Sequence, residues 1–242
     1  MQTLDLGLID FQEAWAIQER LAAGVAAGTE PETLLLMEHP PVYTIGSGGS
    51  ETNILGTGVT ALRINRGGDV TWHGPGQLVG YPILDLHNFR MDVGWYVRSL
   101  EELLIRTVNA FGLNGRRVGT EQGRRDPKLV GVWVDNPEPE PLLRQVHPDA
   151  KLAQIGARIE SWITYHGFAL NVDPNMQHFQ LIVPCGIPDK PVTSMALALG
   201  RPPEMHEVRT QVAQQFEQVF GTDLVPISPL ELLGRLDKKI PA

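Results

Sequence analysis

The chain carries a single thiol, Cys185, set between Pro184 and Gly186. One cysteine makes neither an internal disulfide nor a multi-cysteine zinc or iron–sulfur site. A lone cysteine is ordinarily a small buried hydrophobe. Here its neighbours leave thin, open backbone around the sulfur, where a core strand would supply branched residues. If the chain uses a thiol nucleophile, Cys185 is that nucleophile. Its reference pKa near ~8.5 leaves only a few per cent thiolate at neutral pH, so a base or a positive charge must stand beside it.

The second promising feature is the run from Arg66 to Gly76, Arg-Gly-Gly-Asp-Val-Thr-Trp-His-Gly-Pro-Gly, followed by Gln77. Its four glycines and one proline predict open backbone between strands and not a packed element. Gly74-Pro75-Gly76-Gln77 fits a type II turn, with Pro75 supplying φ near −65° and Gly76 the positive φ. Trp72 and His73 then sit beside backbone without side-chain bulk, which suits a pocket floor. Read alone, the run is equally a tight loop. His73 and His166 are further titratable candidates, as pocket-lining groups or as satisfied structural histidines. The sequence has no His-Glu-x-x-His or comparable spacing, so no metal site is expected.

The elements that must position these groups read as follows. Asp10 followed by Glu13 resembles a capping box, with a helix running to Gly28. Thr33–Met37 and Val42–Ile45 read as strands. Val59–Ile64 and Leu78–Leu86 read as strands flanking the glycine-rich run. Asp92 caps a helix with apolar positions from Val93 to Phe111 in steps of three and four, ended by Gly112. Leu129–Val134 reads as a strand. Leu152–Ile159 and Trp162–Val172 read as two strands joined by a short turn, hence antiparallel. Thr193 caps a short helix through Leu199, Pro203–Phe220 is a helix stopped by Gly221, and Ser228-Pro229 opens a last one. Strands dominate the middle, and no Gly-x-Gly-x-x-Gly or Walker A sequence opens a helix. The expected class is α+β (α/β), a single domain over residues 1–242 with a mixed, largely antiparallel sheet flanked by helices. Asn136–Pro141 reads as a stiff, acidic loop.

Composition sets the outer bounds. The 242 residues are 42% hydrophobic and 20% charged, ordinary for a globular domain. A formal net charge of −8 argues against a nucleic-acid partner. No apolar run approaches the ~18 residues of a membrane span, and Met1-Gln-Thr-Leu-Asp lacks the basic region and apolar core of a signal peptide. A cytoplasmic location is the expectation.

Four segments taken in order identify a family. They are Arg66 to Gln77, Lys151-Leu-Ala-Gln-Ile-Gly156, His166-Gly-Phe-Ala-Leu-Asn171, and Pro184-Cys-Gly-Ile187 with Thr193-Ser194. Together they resemble the lipoyl(octanoyl) transferases, from about Leu34 to Ala198. The resemblance implies the catalytic-core fold of biotin and lipoate protein ligases. It implies octanoyl transfer from acyl carrier protein to a lysine of lipoyl domains, those of 2-oxoacid dehydrogenase complexes and glycine cleavage H protein. No cofactor and no ATP are implied. It places the Lys151 amine against the Cys185 sulfur as proton carrier. Substrate contact is implied for Arg66, Gly67, Gly68, Asp69, Val70, Thr71, Trp72 and His73, for Gln154, Ile155 and Gly156, and for His166, Gly167 and Phe168. Two positions depart from the family: Trp72 replaces the usual tyrosine, and Gln154 is larger and more polar than the usual small residue. The rival readings are an ATP-dependent lipoate or biotin ligase of the same fold and a non-catalytic acyl-carrier-binding scaffold. Finally, Arg116, Arg117, Arg124, Arg125 and Lys128 stand against only Glu121 and Asp126. That basic stretch is expected either to steer an acidic carrier protein or to be a solvated loop.

Overall fold

The computed structural model describes residues 1–121, 124–137, 148–188 and 190–237. In chain order the first half comprises β1 (Gln2–Leu8), α1 (Phe11–Ala26), β2 (Thr33–Glu38), β3 (Val42–Ile45), β4 (Ala61–Arg63), β5 (Val70–His73), β6 (Gln77–Ile83) and α2 (Val93–Ala110). The second half comprises β7 (Thr120–Glu121), β8 (Arg124–Arg125), β9 (Val132–Asp135), β10 (Asp149–Glu160), β11 (Ile163–Asn171), α3 (Met195–Leu199), α4 (Met205–Phe220), β12 (Val225–Pro226) and α5 (Pro229–Asp237). Most of the expected acidic loop after Asn136 lies outside the described residues.

The main sheet has the order β12-β1-β2-β6-β11-β10-β9. Its β12, β1 and β2 run parallel, and every pairing from β2 to β9 is antiparallel. Period-two alternation decides what covers each face. Leu34, Leu36, Leu78 and Leu170 point into a core with α2 and α4. Leu35, Met37, Val79 and Ala169 point the other way, to α1 and α5. A small sheet, β4-β3-β5, packs Ile45, Val70 and Trp72 against Phe179 and Ile182 in a third core.

Sequence chemistry accounts for most boundaries. Asp10 accepts from the amides of Gln12 and Glu13 to start α1, and Asp92 accepts from Trp95 to start α2. Gly112 and Gly221 take positive φ where the preceding helices stop. Gly76 has φ +84° and Gln77 N–H donates to the Gly74 carbonyl at 3.1 Å, which is the expected turn. Ser161 and Trp162 both take positive φ, so a two-residue turn of the mirror-image type joins β10 to β11.

Several expectations are corrected. The glycine-rich run is not wholly open: Val70–His73 is a buried strand paired antiparallel to β3, and its glycines lie on either side of it. The short helix is capped by Ser194, whose Oγ accepts from Leu197 N–H; Thr193 lies outside the cap. Val59–Ile64 contracts to β4, and Leu129 falls in a 3₁₀ turn ahead of Gly131. The parallel strand β1 is an addition to the expected elements, although Leu4, Leu6 and Leu8 alternate with Asp5 and Gly7. The basic stretch is less free than its composition suggests. Arg116 binds Asp149 at 2.5 Å and Asp135 at 2.7 Å, and Arg117 binds Glu101 and Glu102 at 3.1 and 3.0 Å. The side chains of Arg124 and Arg125 lie outside the described residues. No helix among the described residues is long and apolar enough to cross a membrane.

Candidate active site

Lys151 reaches Cys185 because β10 is irregular where the lysine sits. Lys151 pairs with Trp133 and Ala153 with Val132, so β10 carries one residue more than its partner. The bulge sends both Leu152 and Ala153 into the core. It also lets Lys151 and Gln154, three apart, serve the same side, which regular alternation would forbid. Lys151 is 3% exposed. Its Nζ lies 3.3 Å from Cys185 Sγ and 5.3 Å from the centroid of the Trp133 ring. Its backbone is clamped on the other edge, with Lys151 N–H donating to the Pro191 carbonyl at 2.8 Å and Thr193 N–H donating to the Lys151 carbonyl at 2.9 Å.

Gly131 makes room for that side chain. A Cβ there would collide with the Ala153 carbonyl and lie 2.7 Å from Lys151 Cε, at φ +137°. Gly131→Ala is therefore expected to displace the amine from the sulfur and to cut turnover about tenfold or more. Turnover at the wild-type level, in a variant shown to be folded by its melting curve, would contradict this.

Cys185 sits at φ +57° in the 3₁₀ turn Pro184–Gly186, an uncommon conformation for a side chain. Val183 N–H donates to the Asn53 carbonyl at 2.7 Å and Gly186 N–H to the Val183 carbonyl at 3.0 Å. Asp69 braces the turn from below. It accepts from Asn53 Nδ2 at 2.7 Å and Val70 N–H at 2.6 Å, and a Cβ on Gly186 would lie 2.5 Å from its Oδ2. The turn that carries Cys185 thus has Asp69 against Gly186 on one side, and the sulfur has Lys151 beside it.

Cys185 opens onto a pocket with about 470 Å³ of open space, mouth included. Phe11, Ile64, Ile155 and Phe168 give it apolar walls, and a neutral aromatic cluster backs it. His39 Nδ1 donates to the Ile9 carbonyl and its Nε2 accepts from the Tyr81 hydroxyl at 2.9 Å. The Phe11 and His73 rings stack at 5.9 Å. His166, at φ +54°, bonds Asn65 Oδ1 through Nε2 at 2.8 Å. Burial pushes His73 and His166 each down to about 3, with nearby cations and imidazoles adding to it. Arg66 is buried on the same wall. It donates to the Thr44, Gly67 and Asp69 carbonyls, and the Cys185 sulfur opposes the lowering that burial imposes on it. The guanidinium remains a cation.

The buried imidazoles make stability depend on pH. Their folded pKa values lie below the unfolded value of 6.5. Below that pH the unfolded chain takes up protons that the folded chain refuses, so stability falls as pH drops from about 6.5 toward 3. At pH 5 each of the two costs about 2 kcal/mol. Melting temperature should rise from pH 5 to 7 and then level off. Equal melting temperatures at pH 5 and 7 would place protons on these rings in the fold.

Residues 10–217 match the lipoyl protein ligase A/B catalytic domain. An octanoyltransferase of Geobacter metallireducens is 50% identical over 216 residues, 89% of this chain and 92% of that protein. Another, of Geotalea uraniireducens, is 51% identical over 231 residues, 96% of this chain and 98% of that protein. The chain belongs to the octanoyltransferase family. The fold extends further: a lipoate-protein ligase A bound with ATP superposes with TM-score 0.71 over 98% of this chain and 92% of that one, at 14% identity. A bi-partite lipoate protein ligase of Thermoplasma acidophilum superposes with TM-score 0.68 over 98% and 90%, at 15% identity.

In this member of the octanoyltransferase family, the expected contact residues are only partly brought together. Arg66, Gly68, Asp69, Thr71 and His73 line the pocket, as do Gln154, Ile155, Gly156, His166, Gly167 and Phe168. Gly67, Val70 and Trp72 are off its wall. Alternation along β5 explains the last two: Thr71 and His73 face the pocket, while Val70 and Trp72 face the small core. Trp72 stacks on His178 at 4.6 Å and lies over Gly74, where a Cβ would strike its ring. The sequence reading missed Phe11, Ile64, Tyr81, Ala169 and His39. Phe11 opens an ordinary amphipathic helix and Tyr81 sits in an apolar strand, so neither carried a local signal. Gln154 is 6% exposed, and neither amide atom has a partner among the described residues.

Proposed function

We propose that the chain, acting as one catalytic domain, moves an octanoyl group from acyl carrier protein to a specific lysine of lipoyl domains through an S-octanoyl-Cys185 intermediate. The acceptors in this reading are the lipoyl domains of 2-oxoacid dehydrogenase complexes and the glycine cleavage H protein. The observation that carries it is the 3.3 Å contact between Lys151 Nζ and Cys185 Sγ, with Cys185 on the wall of the pocket. Membership of the octanoyltransferase family supplies the transferred group.

In the first half-reaction neutral Lys151 takes the thiol proton and the thiolate attacks the thioester carbonyl. The tetrahedral intermediate collapses, the carrier's pantetheine thiol leaves with the proton from Lys151, and an acyl-cysteine remains. In the second half the acceptor amine attacks that thioester and Lys151 receives the amine proton. The Cys185 sulfur leaves and is reprotonated as the amide forms. A thioester is exchanged for a thioester and then for an amide, so the cycle needs no ATP. The fixed Arg66 cation lies within electrostatic reach of the Cys185 sulfur. Incubation of octanoyl-acyl carrier protein with an unmodified lipoyl domain should give octanoylated domain with no nucleotide present. A strict requirement for ATP and free octanoate would transfer the reading to a ligase.

The donor's acidic surface calls for local positive charge on a chain of net −8. With Arg116 and Arg117 bound to carboxylates, that charge would come from Arg124, Arg125 and Lys128. Reversing Arg124 and Arg125 to Glu should raise KM for octanoyl-acyl carrier protein and leave octanoyl-pantetheine nearly unaffected. Equal effects on both donors would contradict docking there.

A further inference from the structure

A chain of buried amides runs from the pocket wall to the backbone of Lys151, and its orientation is fixed by one carbonyl. The Thr193 carbonyl can only accept, so Asn171 turns its Nδ2 toward it at 2.9 Å. Asn171 Oδ1 therefore faces Gln77, and Gln77 Nε2 must be the group that donates to it at 2.9 Å. The same Nε2 reaches the Trp72 carbonyl at 3.2 Å, a second acceptor. Gln77 Oε1 is then the atom 2.7 Å from His73 Nδ1, and an amide oxygen only accepts. His73 must carry its proton on Nδ1. Two amide orientations and one tautomer, each ambiguous alone, are resolved together. Both amide residues are fully buried. At the other end, Thr193 N–H holds the Lys151 carbonyl at 2.9 Å.

We propose that Gln77 and Asn171 are positioning residues for the transfer: they fix His73 as the Nδ1–H tautomer on the pocket wall and pin the Thr193 backbone that clamps Lys151 against Cys185. Neither residue touches the pocket. Each acts through another: Gln77 through His73, Asn171 through Thr193. His73 lines the pocket, and its Nε2 makes no hydrogen bond among the described residues, so an acceptor and not a donor faces the substrate. The charged and titratable groups around it are Arg66, His39 and His166, all of which oppose a second positive charge there. Each amide bond of this relay fixes the orientation of the next, and breaking one would leave a buried polar group unpaired.

The effect on turnover rests on the octanoyl-transfer reading; the tautomer does not. The test therefore has a spectroscopic arm and a kinetic arm. In ¹⁵N-labelled full-length protein, with His73 assigned by its loss in His73→Gln, Nδ1 should be pyrrole-like and Nε2 pyridine-like between about pH 5 and 8. An Nε2–H tautomer or an imidazolium there would overturn the assignment. Asn171→Asp keeps an acceptor for Gln77 but sets a carboxylate against the Thr193 carbonyl. It should retain the His73 signals, shift the pH profile of Cys185 alkylation by iodoacetamide, and lower kcat for octanoyl-pantetheine about tenfold or more with KM little changed. Gln77→Leu should do the reverse: it removes the acceptor of the Nδ1 proton, so the His73 nitrogen signals should depart from the wild-type Nδ1–H pattern. A folded Asn171→Asp with wild-type kcat and alkylation profile would overturn the positioning role while leaving octanoyl transfer intact. If that variant does not fold, the wild-type spectrum and Gln77→Leu decide. Unchanged His73 signals in a folded Gln77→Leu would overturn the proposal.

Discussion

Cys185→Ser is expected to lower turnover by on the order of 10⁴-fold or more, as loss of a nucleophile does where it acts as a unit with its base. The substitution changes one atom, so the Pro184–Gly186 turn and its bonds to Asn53 and Val183 should survive. What is lost is nucleophilicity. A serine hydroxyl is far less acidic than a thiol, and an amine 3.3 Å away is too weak a base to ionise it. Cys185→Ala should be equally inactive, and its melting curve should stay close to that of the parent because the side chain is only half-buried. Near wild-type octanoyl transfer by Cys185→Ala would end the covalent mechanism.

Lys151→Ala should cost about 10²–10⁴-fold in both half-reactions, the usual span for a positioned proton carrier. Lys151→Arg should be nearly as damaging despite keeping the charge. Guanidinium cannot become neutral in a protein, so it cannot take the thiol proton or that of the acceptor amine. Its planar fork also does not fit the slot between Gly131 and Trp133 that holds the lysine stem. The pH profile of iodoacetamide trapping separates the two roles. Lys151→Ala should change it, because the amine 3.3 Å from the sulfur is removed. An unchanged profile in Lys151→Ala would remove Lys151 from the site.

Much of the scaffold was legible because it rests on local chemistry. Asp10, Asp92, Gly112 and Gly221 mark helix ends through capping and positive φ, and the structure uses each of them so. The short apolar run Thr33 to Met37 marked a buried strand but not its place at the turn from parallel to antiparallel pairing, which depends on partners far along the chain. The site was less legible. Cys185 announced itself as the only thiol, yet its meeting with Lys151 depends on a bulge at Leu152 and on space left by Gly131, both invisible in a one-dimensional pattern. Trp72 was misplaced because a glycine-rich run conceals a strand, and within a strand a shift of one residue reverses the face. The Gln77–Asn171 relay joins residues 94 apart, and no spacing rule reaches that far.

Acylation of Cys185 can be read from the intact mass of the full chain after brief incubation with octanoyl-acyl carrier protein alone. The wild-type protein should gain the mass of one octanoyl group, the adduct should map to the peptide holding Cys185, and adding an unmodified lipoyl domain should remove it. Transfer to the lipoyl domain at full rate with no mass gain on the chain, or with the adduct on any residue other than Cys185, would contradict it.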